Sequence, residues 1–414
     1  MSFDIALSGI QSINQQLTTS SNNIANAGTY GFRSSRANFS SMYAGDRATG
    51  VEIGSTTQSM SVNGGVLNTG RTLDAAIDGR GYFVSRDAQN TLSYSRVGIF
   101  SASSSGYLTD SNGKLVQGFA AVPGSTTLGT MGDLKIPTGQ IAAKASTELT
   151  YTANISADWS VKTVAFDKND MTTYNNAKVS VLYDALGTKH TLSQYFVKTA
   201  PNEITVNYTL DDQPVTSTPS TKIVFENGQL KTINGAGPTN PPGTPVPSDY
   251  QPVYANIAIS SPIAGAAPLA FGINYNSTTQ YAGEATTSTN KADGYASGTY
   301  TGVELADDGS IVAKYTNGET QSVGTIALAN FADEGALKAV NDTSWIASTG
   351  SGAPLYERPG VGMAGKLATS SLEQSNVDIT TELVGLMTSQ RNYQANSKVL
   401  STENAMLQSL MQAL

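Results

Sequence analysis

The 414-residue sequence contains no cysteine and a single histidine, His190. A chain without cysteine cannot form a disulfide, a thiolate nucleophile, an iron–sulfur cluster or a cysteine-ligated zinc site. One imidazole cannot supply a multi-histidine metal centre, and no Gly-x-Ser-x-Gly sequence offers a nucleophile that His190 could activate. We therefore interpret His190 as a surface or strand-end residue. We predict no catalytic residues, no metal ligands and no cofactor, and expect that the protein is not an enzyme.

Charged residues are scarce, at 14% of the chain, and the acidic ones outnumber the basic ones by 32 to 24. Affinity for a phosphate backbone comes from clustered Lys and Arg, so we predict no nucleic-acid partner. No apolar run reaches the roughly 18 residues that a membrane-spanning helix requires, and we predict no membrane insertion. The first Lys or Arg is Arg33, so the basic start of a secretory signal peptide is absent. A secreted product would need another export route.

A literal Gly-x-Gly-x-x-Gly sequence occurs at residues 360–365. Such glycines bind dinucleotides only between a strand and a helix of a βαβ unit. Pro359 comes directly before them, and no parallel-strand pattern surrounds them. We therefore interpret this segment as a flexible connection.

Both ends of the chain carry an apolar stripe at the heptad spacing of a coiled-coil seam and are predicted to be helices. The N-terminal stripe is Phe3, Leu7, Ile10, Asn14, Leu17, Ser21 and Ile24, and the C-terminal stripe is Ile379, Leu383, Leu386, Gln390, Tyr393, Ser397, Leu400, Asn404, Leu407, Met411 and Leu414. Asp378 can cap the second helix. Periodicity alone allows these helices to pack on a globular body. We favour pairing with each other and with copies from other chains, because both stripes lie at the extremes of the chain.

The middle of the chain is punctuated by short turns and is predicted to be β. Asn112-Gly113, Asp308-Gly309 and Asn317-Gly318 each precede or separate apolar runs, which is typical of hairpins. Strand-like alternation also occurs at residues 178–182, 203–208 and 222–225. The proline-rich stretch 237–247 is predicted to be an exposed loop.

We therefore predict a multidomain protein in which all-α coiled-coil terminal helices join mainly-β domains, with the outer β domain inserted into the inner one. The predicted boundaries are residues 1–30 and 373–414 for the terminal helical domain, 31–70 and 351–372 for connecting segments, 71–144 and 292–350 for the inner β domain, and 145–291 for the inserted outer β domain.

Several motifs resemble those of the bacterial flagellar rod, hook and hook-associated protein family. The residues that carry the terminal resemblance are Asn22, Asn23, Ile24, Ala25, Asn26, Gly31 and Phe32 near the N-terminus and Asn376, Val377, Asp378, Gln390, Arg391, Gln394 and Asn396 near the C-terminus. Residues 73–83 and 94–100 are similar to the β domain that rod and hook proteins share. Residues 145–291 match least, and the length of the chain favours the hook subunit over the shorter distal rod protein.

The resemblance implies a structural subunit of the bacterial flagellar hook, a short curved flexible tube that transmits motor torque to the filament as a universal joint. In this family the terminal helices form the innermost tube. The implied assembly interface is Phe3, Leu7, Ile10, Asn14, Leu17, Ile24, Leu383, Leu386, Gln390, Tyr393, Leu400, Leu407 and Met411. The implied partners are copies of the chain, the distal rod protein, the hook cap protein, the hook–filament junction protein and the flagellar type III export apparatus. The implied location is the extracellular hook on the basal body, reached without a cleavable signal peptide.

Two alternatives remain at this point. Within the family, the chain could be a distal rod or hook-associated protein. Outside it, the chain could be a β-rich surface adhesin or carbohydrate-binding module, whose inserted block would bind on its own and whose terminal helices would be dispensable.

Overall fold

The computed structural model describes residues 2–44, 47–122, 127–215, 218–236, 254–259 and 266–413. The predicted proline-rich loop at 237–247 lies outside the described residues. The chain forms two compact units. The first unit consists of Met1–Thr138, Thr301–Lys314 and Thr320–Leu414, and the second consists of Gly139–Tyr300 and Tyr315–Glu319.

The two long helices lie at the ends of the chain, as predicted. Helix α1 spans Ser2–Ala25 and helix α2 spans Ile379–Ala413. Helix α2 begins directly after Asp378, whose Oδ1 accepts a hydrogen bond from the Thr380 amide at 2.9 Å. The predicted cap is therefore confirmed. Neither helix, nor any other in the described part of the chain, is both long and apolar enough to cross a bilayer.

Strands fill the chain between the helices. The outgoing strands are β1 (Ser35–Ala44), β2 (Arg47–Gln58), β3 (Val66–Asn68), β4 (Ala75–Asp78), β5 (Tyr82–Arg86), β6 (Leu92–Ser95), β7 (Phe100–Ala102), β8 (Leu108–Asp110), β9 (Leu115–Ala121) and β10 (Leu128–Asp133). The second unit holds β11 (Glu148–Asn154), β12 (Asn176–Tyr183), β13 (Lys189–Ala200), β14 (Glu203–Leu210), β15 (Gln213–Pro214), β16 (Ser220–Glu226), β17 (Gln229–Ile233), β18 (Tyr254–Ile259), β19 (Leu269–Asn274) and β20 (Thr286–Ala292). The returning strands are β21 (Tyr300–Leu305), β22 (Ser310–Tyr315), β23 (Thr320–Ile326), β24 (Leu328–Asn330), β25 (Lys338–Val340), β26 (Ser344–Ile346), β27 (Leu355–Glu357), β28 (Lys366–Thr369) and β29 (Ser371–Glu373), with one 3₁₀ turn at Glu334–Ala336. The prediction of a mainly-β protein with terminal helices is confirmed.

The first unit is organised around one large sheet, which we call the β body. Its main path runs β21-β22-β23-β9-β5-β6-β26-β25, so strands from both halves of the chain alternate within it. Its aromatic core includes Tyr82, which packs edge-on against Trp345 at 5.7 Å between ring centroids. Tyr94 packs in the same way against Phe331 at 4.8 Å. Such edge-on pairs are favoured by the ring quadrupoles.

The turn predictions in the first unit are confirmed. Asn112-Gly113 lies between β8 and β9, and Gly113 has a φ of +78°, which favours glycine. Asp308-Gly309 leads into β22, whose Ile311 and Ala313 are buried on one face.

The second unit contains two sheets that share one apolar core. Their strand orders are β18-β19-β11-β20 and β12-β13-β14-β16-β17, with β15 beside β14. On β14, Ile204, Val206 and Tyr208 are buried and alternate with half-buried polar residues, as expected of a strand with one face on the core. The chain enters and leaves this unit side by side, since the Ile141 amide donates to the Gly298 carbonyl at 2.9 Å.

Candidate assembly interface

Helices α1 and α2 pack against each other in opposite directions. Near one end, Gly9 lies so close to Asn396 that a Cβ atom on Gly9 would be 2.7 Å from Asn396 Nδ2. Towards the other end, Asn23 Nδ2 donates a hydrogen bond to Glu382 Oε1 at 2.7 Å. The step from Gly9 to Asn23 runs forward along α1, whereas the step between their partners runs backward along α2 by the same number of residues. The helix pair is therefore antiparallel.

Small and polar side chains dominate the buried positions of the helix pair. The buried residues are Ala6, Ser12, Thr19, Ser20 and Asn23 on α1 and Ser389 on α2. The half-buried positions of α2 include Glu382, Leu386, Asn396 and Leu400, which share one face at helical spacing. Hydrophobic stabilisation scales with the apolar area removed from water, so the helix pair gains little of it inside one subunit.

Large apolar side chains of both helices remain exposed. They are Phe3, Ile5 and Leu7 on α1 and Ile379, Leu383, Val384, Met387, Tyr393, Val399, Met406, Leu407, Leu410 and Met411 on α2. Their exposed fractions run from 38% for Phe3 and Tyr393 to 76% for Met411. So many exposed large apolar side chains on two helices are typical of a protein–protein contact.

The predicted assembly residues fall into two groups in the structure. Those that are exposed are Phe3, Leu7, Asn14, Leu383, Gln390, Tyr393, Leu407 and Met411, and those that are half-buried are Ile10, Leu17, Ile24, Leu386 and Leu400. The predicted stripe therefore does not lie wholly between α1 and α2. A second exposed set was not predicted: it consists of Val384, Met387, Val399, Met406 and Leu410, whose successive spacings are 3, 12, 7 and 4 residues.

Helix α2 extends beyond the start of α1. If Gly9 lies opposite Asn396, then Ser2, the first described residue of α1, lies opposite Glu403. The ten residues 404–413 then continue for roughly 15 Å without a counterpart on α1. We call residues 404–413 the α2 extension; its large apolar residues Met406, Leu407, Leu410 and Met411 are all exposed.

Strands β1 and β2 form a two-stranded ribbon that packs along α1. The Val51 amide donates to Ser8 Oγ at 3.2 Å near one end of the helix. Near the other end, Asn23 Oδ1 accepts from the Ser35 amide at 2.9 Å, and Asn23 Nδ2 donates to the Ser35 carbonyl at 2.8 Å. Gly50 is required at its position, because a Cβ atom there would lie 2.2 Å from Ser8 Oγ. Helix α1 thus contacts both α2 and the ribbon.

The N-terminal motif residues form the end of α1 and the turn that follows. Asn26 Nδ2 donates to Asn22 Oδ1 at 2.9 Å, which closes the last helical turn. Asn23 is buried, Ile24 is half-buried, and Ala25 is exposed. Gly31 has a φ of +66°, and a Cβ atom there would lie 3.1 Å from the Val97 amide nitrogen. The Phe32 carbonyl accepts a hydrogen bond from the Asn376 amide at 3.3 Å.

The C-terminal motif residues have two different environments. Asn376 bridges three segments, because its Oδ1 accepts from the Ser34 amide at 2.7 Å and its Nδ2 donates to the carbonyls of Ser59 and Val62 at 3.0 and 2.9 Å. Val377 is half-buried beside it. Further along α2, the exposed motif residues are Gln390, Arg391 and Gln394.

The cap of α2 also shifts a pKa. The Thr381 hydroxyl donates to Asp378 Oδ2 at 3.0 Å, and the amides of Thr381 and Thr380 donate to Oδ1. These hydrogen bonds favour the charged carboxylate and lower the pKa of Asp378 below its usual value. The start of α2 therefore keeps a negative charge at the positive end of the helix dipole.

A buried ionic cluster lies where both helices connect to the β body, and it was not predicted from the sequence. Glu373 pairs with Arg33 at 2.8 Å and with Arg96 at 2.7 Å, and all three side chains are buried. Burial lowers the pKa of the Arg33 guanidinium, although the charge of Glu373 acts in the opposite direction. The signal in the sequence was that Arg96 lies within residues 94–100, which resemble the family, and that Arg33 directly follows the motif residues Gly31 and Phe32.

His190 and the glycines of residues 360–365, which were considered as candidate chemical sites, contact other parts of the fold. His190 lies at the start of β13, with Nδ1 2.7 Å from Asp211 Oδ2 and Nε2 3.5 Å from Asp184 Oδ2. It is a strand-end residue, but it is buried rather than at the surface. The glycines of 360–365 lie between β27 and β28, in a turn that the Gly360 amide closes on the Gly365 carbonyl at 2.9 Å. Across the described residues, no group of three or more His, Asp or Glu is arranged to hold a metal ion.

Three family descriptions match successive parts of the chain. Flagellar hook protein FlgE/F/G D1 domain matches residues 76–158, and Flagellar basal body protein FlaE D2 domain matches residues 150–295. Flagellar basal body rod FlgEFG protein C-terminal matches residues 368–413, which include α2.

Individual relatives match the chain from end to end. Flagellar hook protein FlgE of Escherichia coli (strain K12) is 33% identical over 420 residues, which cover 99% of each chain. Flagellar hook protein FlgE of Salmonella typhimurium (strain LT2) is 34% identical over 422 residues, with the same coverage. Among solved structures, the crystal structure of Helicobacter pylori flagellar hook protein FlgE2 aligns with a TM-score of 0.48 at 13% identity, and the alignment covers 74% of this chain and 100% of that one.

Proposed function

The chain belongs to the bacterial flagellar hook protein family, and from this premise we propose how its terminal helices build the hook. The protein is a structural subunit that polymerises with copies of itself and is associated with the flagellar basal body. We propose that the polymer is a short, curved, flexible tube that carries motor torque to the filament as a universal joint. The observation that carries this proposal is the exposed apolar surface of α1 and α2.

Neighbouring copies supply the burial that the helix pair lacks. Burying one exposed Leu, Ile, Phe or Met side chain is worth roughly 1.5–3 kcal/mol. Helices α1 and α2 together leave thirteen large apolar residues exposed, so lateral and axial contacts between copies can offset the entropy lost on assembly. The contacts between copies then form a coiled-coil tube, with the implied assembly residues at its seams.

The β parts of the chain form layers outside this tube. Residues 1–30 and 373–414 form the inner tube, with 31–70 and 351–372 as connections. Residues 71–144 and 292–350 form the inner β domain, and residues 145–291 form an outer domain inserted into it. Support comes from the second unit, whose residues 139–300 interrupt those of the first unit.

Polar positions in the seams let the tube bend. Subunits on the inside of a bend crowd together and those on the outside spread, so contacts between copies must slide. Asn14, Gln390 and Asn404 are exposed in the subunit, and Ser397 is half-buried. A polar group can exchange one hydrogen-bond partner for another or for water at little net cost, whereas interlocked apolar side chains cannot shift without opening gaps.

The proposed partners follow the same assembly. They are the distal rod protein at the base, the hook cap protein during growth, the hook–filament junction protein at the tip and the flagellar type III export apparatus. The hook is extracellular, so the subunit must leave the cell, and we assign its export to the flagellar type III export apparatus. Its role is structural rather than enzymatic.

Electron microscopy of basal bodies from a strain that lacks this gene tests the assignment. We expect a complete rod that ends without a curved hook, and restoration of the hook when the full chain is supplied. A truncated rod would make the chain a rod component. Intact flagella would contradict the proposed function altogether.

A further inference from the structure

Three separate segments of the first unit meet at the carboxylate of Glu373. Arg33 belongs to the segment that leaves α1, Glu373 ends the strand that leads into α2, and Arg96 follows β6 of the β body. Arg33 Nη1 lies 2.8 Å from Oε1, and Arg96 Nε lies 2.7 Å from Oε2. One carboxylate therefore joins both helix connections to the sheet. We call Arg33, Arg96 and Glu373 the joint.

Arg96 is held by its remaining donors, most of which bind β4 and the connection that leads from β4 into the β body. Its Nη1 donates to the carbonyls of Gly79 and Gly81 at 3.0 and 2.6 Å. Its Nη2 donates to the Ile77 carbonyl at 3.1 Å and to Asn63 Oδ1 at 3.0 Å. The three carbonyls belong to β4 and to the connection between β4 and β5, whereas Asn63 precedes β3. The planar guanidinium has its donors in a rigid fork, so these contacts fix its orientation.

The side of the joint nearer the helices is held in a similar way. Arg33 Nη1 donates to the Val62 carbonyl at 2.9 Å, and Arg33 Nη2 donates to Asn63 Oδ1 at 3.1 Å. Glu373 Oε1 also accepts from the Gly64 amide at 3.0 Å. Both guanidinium groups are thus tied to the carboxylate and to backbone on either side of it.

The joint is a poor choice for stability alone. It buries two cations with one anion, and Arg33 Nε has no hydrogen-bond partner within the described residues. Buried ion pairs of this kind are often no more stable than well-packed apolar residues of similar volume, and the role best supported for them is to select one arrangement over others. The joint can therefore select one relative arrangement of the three segments that carry Arg33, Arg96 and Glu373.

An open cleft lies beside the joint, on the side of Arg96. The cleft has a volume of about 570 Å³, and its lining includes Asn63, Gly79, Arg80, Tyr82, Arg96 and Glu334. The helices begin close by, since α1 ends at Ala25 and α2 starts at Ile379. A small rotation at the joint would therefore be amplified along both helices.

We propose that Arg33, Arg96 and Glu373 are positioning residues that set the direction in which the helix pair leaves the β body. In the hook, force passing between the inner tube and the β layers crosses this joint. The role in the hook rests on the proposed function, whereas the geometry of the joint belongs to the subunit itself.

Spin labels can measure the direction of the helix pair directly, because the chain has no cysteine of its own. Ser21→Cys on α1 and Thr91→Cys beside β6 are exposed positions for one label each. Labelled chains are polymerised with an excess of unlabelled chains of the same joint sequence, and the distance between labels is read by pulsed electron resonance. We expect a single narrow distance for the native joint and loss of that narrow peak for Glu373→Gln.

Matched variants separate positioning from stability. Asp133→Asn breaks the ion pair between Arg86 and Asp133, which lies within the β body on β5 and β10. We expect this control to keep the narrow distance even if it lowers the melting temperature. Arg33→Lys keeps the charge but loses the forked contacts, so we expect it to broaden the distribution of distances between the labels. If Glu373→Gln does not fold, this variant alone tests whether the joint positions the helix pair.

Unchanged distances in both Glu373→Gln and Arg33→Lys would overturn the proposal. Equal broadening in Asp133→Asn would also overturn it, because the effect would then follow stability. If the native chain forms no polymer, the proposed function fails, and the same distances measured in the monomer still decide on the joint.

Discussion

Gly9 and Asn396 are in direct contact across the helix pair. A side chain at position 9 would fit only if the Asn396 side chain moved, because a Cβ atom there would lie 2.7 Å from Asn396 Nδ2. The obstructing atom is the end of a flexible side chain, so we expect Gly9→Ala to be tolerated. Gly9→Leu should push α1 and α2 apart and abolish polymerisation, as measured by light scattering and electron microscopy.

The control for this prediction is Gly385→Ala on α2. A Cβ atom at Gly385 would meet nothing within 4 Å, so this change should stabilise the helix by about 1 kcal/mol and leave polymers intact. Normal polymers from Gly9→Leu would show that the helix pair of the subunit is not the pair used in the hook.

Charge on the α2 extension should block assembly. Leu407→Glu combined with Met411→Glu puts carboxylates on side chains that are 53% and 76% exposed, so the free energy of unfolding of the subunit should change by less than about 0.5 kcal/mol. Burial against another copy would then require desolvation of two charges. We expect soluble monomers by sedimentation with an unchanged melting temperature.

Gln408→Glu adds charge to the same extension at an exposed polar position and should polymerise normally. If the double variant also forms hooks of normal length, the extension is not part of the contact between copies.

Apolar replacements in the seams should stiffen the hook. Leu at Gln390, Ser397 and Asn404 replaces groups that exchange partners easily with side chains that interlock. We expect straighter hooks and a longer bending persistence length in electron micrographs. Unchanged curvature and bending would contradict the sliding role of these polar positions.

Acid should weaken the entry to the second unit. Burial acts to raise the pKa of Asp293, but the Glu148 amide, Lys144 Nζ and the Thr147 hydroxyl and amide all donate to its carboxylate, and together they lower that pKa to about 2. A pKa that is lower in the folded state gives stability that is present above the ordinary value near 3.8 and is lost as pH falls from about 4 to about 2.

Urea unfolding between pH 2 and pH 6 checks this. Unfolding of the second unit is followed by the fluorescence of Trp159, which is identified as the signal that is lost in Trp159→Phe. Asp293→Asn should lower the urea midpoint at pH 6 and flatten its decline below pH 4. Asp212→Asn, at an exposed turn position, should leave the curve unchanged. Parallel curves for the native chain and Asp293→Asn would show that this carboxylate does not couple folding to pH.

Features that depend on one short segment, such as helix caps and tight turns, could be predicted from the sequence. Asp378 caps α2 with its own side chain, and Asn112-Gly113 turns the chain with its own backbone. The ribbon of β1 and β2 was predicted only as a connection, because its Ser, Thr and Gly residues show no apolar alternation. Its place is fixed by contacts with Ser8 and Asn23, which lie in α1.

The joint could not be predicted from the sequence, for a different reason. Arg33, Arg96 and Glu373 are far apart in the sequence, and each looks like an ordinary surface charge on its own. Only the fold brings them together and excludes water. Likewise, the heptad pattern located both helices but not which side of each faces its partner, since small residues such as Gly9 and Ser389 settle that packing.

The side-by-side entry and exit of the second unit make it a replaceable module. Lys144 and Tyr295 exchange backbone hydrogen bonds at 3.0 Å in both directions, so the ends of the unit are already closed on each other. Any domain with adjacent termini could be grafted there with little added loop-closure entropy. The second unit could therefore be exchanged between lineages, or replaced by an engineered cargo, while the sequence of the first unit stays as it is.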